Sequence, residues 1–169
     1  TCAAYLAISG KKVLLVEKSE FPRDKTCGDA VGGKSLQHVH EIGAHDAVIS
    51  GQHYKYTGIT MTSPNGNSMT VPLHGNEFAH NTAGYVVKRN LLDNAVFSAA
   101  KKHVEENGGT VLQNTSVKNV IWSDETNTKD PGAGSKELRV AKGIKFKDKN
   151  KKEGEAFAQV VIGAGGYNC

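Results

Sequence analysis

Lys11-Lys12-Val13-Leu14-Leu15-Val16-Glu17-Lys18 sets four apolar residues in a row between two charged pairs. An unbroken apolar run of this length, without alternation, suits a parallel strand covered on both faces. Upstream lies the Ala-rich segment Cys2-Ala3-Ala4-Tyr5-Leu6-Ala7-Ile8, which reads as helix and is closed by Ser9-Gly10-Lys11. Gly10 suits the left-handed residue that ends a helix. Helix over 2–8, tight turn and buried strand over 12–17 make the second half of a βαβ unit. The sequence therefore predicts an α/β fold with a first strand ahead of Thr1.

Outward from this unit, residues 18–33 form a polar loop with Phe21-Pro22-Arg23 and Cys27-Gly28-Asp29, and 34–42 a short helix. Runs 58–62 and 68–73 alternate and flank Pro64-Asn65-Gly66-Asn67, a hairpin signal. A short strand is expected at 85–87. Asn90 is expected to cap a helix reaching about Glu106, with Asp93 in its first turn beside the helix dipole. Leu91, Leu92, Ala95, Val96, Ala99 and Ala100 share one face at helical spacing, and Gly108-Gly109 closes the helix. Strands are expected over 110–113, 117–122, 138–146 and 156–162, with a polar loop over 123–135. The whole reads as a parallel sheet with helices, interrupted by antiparallel excursions, chiefly 55–87. A helix already under way at Thr1 and a stop straight after an apolar strand lead us to expect a domain truncated at both ends.

The 169 residues suffice for one domain with a core, and 38% of them are hydrophobic. Much of the net charge of +4 lies between Lys142 and Lys152, where six lysines occur around Ile144 and Phe146. A solvated strand face and turn accounts for this pattern; an anionic membrane surface is the second reading. Aromatic residues do not interleave with arginines, so nucleic acid is not expected as a partner. Cys2, Cys27 and Cys169 form no C-x-x-C pair, in keeping with a reducing cytoplasm. No apolar run approaches the roughly 18 residues of a membrane span.

Three places could carry chemistry. Glu17 ends the early strand, where a dinucleotide fold sets an acid against the adenosine ribose; an ordinary strand-end glutamate is the other reading. In Arg23-Asp24-Lys25-Thr26-Cys27-Gly28-Asp29-Ala30, glycine would let backbone approach a flat ligand and Arg23 or Lys25 could meet a phosphate; composition alone favours a plain surface loop. Arg89 stands at the start of the long helix, where free N–H groups suit a pyrophosphate; a surface arginine fits equally well. His38-x-His40 lacks helical zinc spacing, so no metal site is expected, and no Ser-His-Asp arrangement is evident.

Four segments in order resemble the geranylgeranyl reductase family, flavoproteins of the p-hydroxybenzoate hydroxylase type. They are residues 11–18, Phe21-Pro22-Arg23 with Lys25-Thr26-Cys27-Gly28-Asp29, Gly84-Tyr85-Val86-Val87-Lys88-Arg89 with Leu92-Asp93, and Val160-Val161-Ile162-Gly163-Ala164. The resemblance implies a Rossmann-like, three-layer FAD/NAD(P)-binding fold with antiparallel β insertions. Residues 1–169 would then be a partial FAD-binding domain, lacking the first strand with its Gly-rich turn and the C-terminal part. It implies FAD as cofactor, with Glu17 toward the adenosine ribose, Cys27, Gly28 and Ala30 toward the flavin, Arg89 toward the phosphates, and Lys18 and Arg23 among the cofactor-binding residues. Val117 would meet the adenine and Gly166 would lie beside the cofactor. It also implies hydride delivery to C=C bonds of polyprenyl lipids, with NAD(P)H or ferredoxin as electron donor, in the cytoplasm or peripherally at the inner membrane face. Where the family often has Gly-Ala-Asp-Gly, this chain has Gly163-Ala164-Gly165-Gly166, so that acid's role does not transfer. A flavin monooxygenase or halogenase of the same fold, and a non-enzymatic binding or electron-transfer module, are the rival readings.

Overall fold

The computed structural model describes residues 1–27, 29–75, 83–126 and 139–166. In order, the chain forms α1 (Cys2–Ile8), β1 (Leu14–Val16), β2 (Ala30–Gly32), α2 (Gly33–Glu41), α3 (His45–Ser50), β3 (His53–Tyr56), β4 (Gly58–Thr62) and β5 (Ser68–Pro72). It continues with β6 (Gly84–Val87), α4 (Arg89–Glu106), β7 (Thr110–Leu112), β8 (Ser116–Thr126), β9 (Arg139–Lys147) and β10 (Glu153–Phe157). It divides into two units: Thr1–Leu15 with Glu20–Val111, and Val16–Ser19 with Leu112–Cys169.

The first unit holds the core. Ala4 of α1, Leu36 and Val39 of α2, Val48 of α3, Tyr85 and Val87 of β6, and Ala95 and Ala100 of α4 are buried together. The small residues let α1 lie close on α4. β2, β6 and β3 form an antiparallel sheet with β6 in the middle, which sets Val31, Tyr85 and Lys55 in one cross-strand row and Gly32, Gly84 and Tyr56 in the next. Tyr85 and Val87 point into the core, whereas Val86 is exposed, as strand alternation requires. The Tyr85 hydroxyl is buried without a hydrogen-bond partner among the described residues, and burial pushes its phenol up. β4 and β5 pair about the Ser63–Asn67 turn as expected, with Gly66 at φ +88°. Gly10 and Gly108 take the left-handed conformation at the ends of α1 and α4. On the surface, Tyr5 donates to the Glu41 carboxylate, which raises the phenol to about 12 and lowers the acid.

In the second unit β8, β9 and β10 form an antiparallel meander, with irregular register near Val117 and Trp122. Lys145 pairs with Glu155 at 2.8 Å and Lys147 with Glu153 at 3.1 Å, so part of the lysine-rich stretch is neutralised across the strands. Such exposed pairs add little stability.

Several expectations need correction. The early strand is shorter than 12–17, and Leu14 is exposed. Among the described residues it is hydrogen-bonded to β7 alone, and the exposure of Leu14, with Leu15 and Val16 only partly buried, shows that its faces are not both covered. The Thr110 N–H donates to Val13 and the Glu17 N–H to Leu112, advancing in one direction along both strands as in a parallel pair. The last strand lies at Glu153–Phe157, not 156–162, because the Asp148 carboxylate accepts the N–H groups of Asn150 and Lys152 and turns the chain back at once. Val160 and Ile162 are exposed and outside any strand. Asn90 does not cap α4: the helix starts at Arg89 with Lys88 as its extended N-cap, without a side-chain cap bond. Asp93 lies beyond the first turn and its carboxylate turns to side chains instead. Strands β2 and β3 and helix α3 were not foreseen, and β8 extends to Thr126 into the expected loop. The rest of that loop lies outside the described residues.

Candidate functional site

The first unit's polar cluster is built on one stripe of α4. Arg89, Asp93 and Phe97 are spaced four apart, so their side chains share a helix face. Arg89 donates from Nε and Nη2 to Asp93 at 2.7–2.9 Å. The loop before β2 docks along the same stripe. Phe21 stacks on Phe97 with ring centroids 4.1 Å apart and planes 3° from parallel. Arg23 lies over the Phe21 ring at 4.9 Å and reaches Asp93 at 3.4 Å. Cys27 is exposed and lies near enough to Arg89 to act on its charge. The bond to Asp93 holds the Arg89 guanidinium above its ordinary range against the opposing effect of desolvation, and Cys27 adds a smaller pull.

Two guanidinium groups thus share one carboxylate. The side chains of Arg89 and Asp93 are each 16% exposed and that of Arg23 26%, so water screens their interactions only in part. Two guanidinium groups held close together are a donor set suited to a diphosphate. The end of the loop is fixed by the Val87 N–H, which donates to the Asp29 carbonyl at 2.9 Å, and Ala30 pairs with Val86. Gly28 lies outside the described residues.

In the second unit Glu17 follows β1. Its Oε1 accepts the Ser19 N–H at 2.9 Å, and its carbonyl accepts the Thr115 N–H at 3.0 Å. Thr115 is buried, and its hydroxyl donates to the Gln113 carbonyl. This ties the start of β8 to Glu17, with Val117 two residues further on at 45% exposure. Lys18 is exposed. Gly166 is exposed at φ +89°.

Of the residues singled out in sequence, the structure brings Arg23, Cys27 and Arg89 together, and Glu17 close to the strand that carries Val117. Sequence reasoning missed the pivot. Asp93 was assigned to the helix dipole, and the Arg89, Asp93, Phe97 spacing that reveals its partners was not read. His45 is buried beside His40 and Tyr85. Among the described residues no cluster of His, Cys, Asp and Glu could hold a metal ion, and no helix is long and apolar enough to cross a membrane.

The fold is that of the FAD-binding, Rossmann-like flavoproteins. The myxobacterial chondrochloren halogenase, a variant of the FAD-dependent halogenases, superposes with a TM-score of 0.63 at 20% identity, over 92% of this chain and 32% of its own. A geranylgeranyl bacteriochlorophyll reductase-like protein of Thermoplasma acidophilum gives 0.63 at 19% identity, over 92% of this chain and 33% of its own. No family model matches the chain. In sequence it is 36% identical over 128 residues to conditioned medium factor receptor 1 of Dictyostelium discoideum, covering 72% of this chain and 24% of that protein. It is 30% identical over 110 residues to menaquinone reductase of Mycobacterium tuberculosis, covering 65% and 25% respectively. The chain therefore spans about a quarter of the length of the curated relatives it matches.

Proposed function

We propose that this chain is part of the FAD-binding domain of an oxidoreductase that reduces C=C bonds in geranylgeranyl or other polyprenyl lipids. The observation that carries the cofactor reading is the pair of arginines on Asp93 at the head of α4, beside the Cys27 thiol. Arg23 and Arg89 meet the diphosphate, Glu17 accepts a ribose hydroxyl, and Cys27 with Ala30 lies toward the flavin ring. Lys18, Gly28, Val117 and Gly166 complete the contacts that the family resemblance implies. FAD, when bound, supplies the hydride chemistry; the residues here bind and orient it.

The substrate reading is supported by the motif resemblance, by the reductase-like structural neighbour, and by the mycobacterial relative named a menaquinone reductase, since menaquinone carries a polyprenyl tail. NAD(P)H or ferredoxin would supply electrons, and a peripheral membrane contact would bring the lipid within reach. The halogenase neighbour supports a second reading, oxygen-dependent chemistry on another substrate. The full-length protein decides between them. Anaerobic saturation of a prenyl lipid by the yellow, flavin-loaded protein is the expected result. NADPH consumption that requires oxygen, with no prenyl reduction, would favour the second reading, and a colourless protein that takes up no FAD would sink both.

Two variants test the assignments. Glu17→Ala is expected to weaken FAD binding by about 1.5–3 kcal/mol, the range for a hydrogen bond to a charged group. Loss of flavin on dilution, followed by fluorescence, is the readout; affinity equal to the parent's rules out the ribose role. Cys27→Ala is expected to change turnover or shift the visible flavin spectrum. If both match the parent within error, the thiol does not face the ring.

A further inference from the structure

Asp93 draws two arginines from different parts of the first unit to one carboxylate. Arg89 is one helical turn away on α4, whereas Arg23 arrives on the loop anchored by Phe21 against Phe97. Without an anion between them, two guanidinium groups at this range would repel each other. A free arginine also samples many rotamers, and that side-chain entropy is lost when the group is ordered. The planar fork of Arg89 presents its Nε and Nη2 edge to Asp93, which directs the opposite Nη1 edge away from the acid. Arg23 is oriented twice, by the Phe21 face and by Asp93.

We propose that Asp93 is a positioning residue: it fixes the spacing of Arg23 and Arg89 for the dianionic middle of the dinucleotide without touching the ligand. The gain is preorganisation, because both cations are placed before the anion arrives. This rests on the FAD reading given above, and the same experiment separates the two. If the parent full-length protein fails to bind FAD, the FAD reading fails first.

The sign of one substitution is decisive. Asp93→Asn removes a negative charge beside two cations. Coulomb's law alone predicts tighter anion binding; positioning predicts weaker binding. Titration of the flavin-free full-length protein with FAD is expected to give about a tenfold loss of affinity for Asp93→Asn, with Asp93→Glu recovering part of it. In an Arg23→Ala background the same Asp93→Asn change is expected to have a much smaller effect, because one of the two groups it positions is already absent. Affinity unchanged or tightened in Asp93→Asn, or effects of Arg23→Ala and Asp93→Asn that simply add, overturns the proposal. Should Asp93→Asn not fold, Asp93→Glu alone serves. A several-fold loss of FAD affinity, with a melting temperature close to the parent's, supports positioning, and an affinity equal to or above the parent's refutes it.

Discussion

Gly84→Val is expected to destabilise the protein by about 3 kcal/mol, the upper end of the overpacking range, and to loosen FAD as well. The penalty does not come from backbone conformation, since Gly84 lies in an extended central strand where valine is otherwise at home. It comes from space. A Cβ at this position would fall on the Val31 carbonyl oxygen, 2.9 Å from Gly32 Cα and 2.7 Å from the Tyr56 hydroxyl. The tyrosine can swing aside, but the other two atoms are the backbone of β2, so relief requires β2 and β6 to part. Those two strands carry the site. β2 follows the Cys27 loop, and β6 leads through Val87, which holds Asp29, directly into Arg89. Chemical denaturation should show the loss of stability. FAD titration of the folded fraction should show weaker binding than in the parent. A Gly84→Val protein as stable as the parent would mean that β2 and β6 are not packed this closely.

The stretch from Lys11 to Lys18 announced the α/β class because its short apolar run follows an Ala-rich helix and a Gly turn, the order of a βαβ unit. The Asn-Gly hairpin was equally legible, since few sequences tolerate the left-handed residue that Gly66 supplies. What misled was local in origin and settled by partners distant in sequence. Val160 and Ile162 have strand composition, yet the return strand was placed by Asp148, whose carboxylate closes a turn so tight that pairing resumes at Glu153. The glutamates there are poor strand formers taken singly. Opposite Lys147 and Lys145 they become cross-strand partners, a property of register that composition does not display.

The candidate site was legible as a set of residues but not as an arrangement. Arg23, Cys27 and Arg89 were singled out one at a time, each with a competing surface reading. Their meeting depends on a loop folding back across some 70 residues of sequence to reach Asp93. The aromatic clasp of Phe21 on Phe97 that guides the loop leaves no periodic trace, because one partner lies in irregular chain. Only the helical half of the cluster, with its four-residue spacing, was written in the local sequence.

Leu36→Ala is expected to lower the unfolding free energy by about 2–5 kcal/mol while leaving the FAD affinity of the folded protein unchanged. Leu36 is fully buried on α2, and the cluster around it includes Val39, Ile42, Val48 and Tyr85. Truncation removes apolar surface from the core and leaves a cavity that close-packed neighbours fill only in part. None of these residues belongs to the arginine cluster, which is held instead by ion pairs and an aromatic stack along α4. Stability and binding should therefore separate: the denaturation midpoint falls, while FAD titration under strongly native conditions returns the parent's constant. Added FAD should raise the midpoint of parent and variant by equal amounts, since linkage depends only on ligand concentration and affinity. A loss below about 1 kcal/mol would contradict the burial of this side chain. A weakened FAD constant would mean that α2 shapes the binding site, and the division between core and cluster would have to be redrawn.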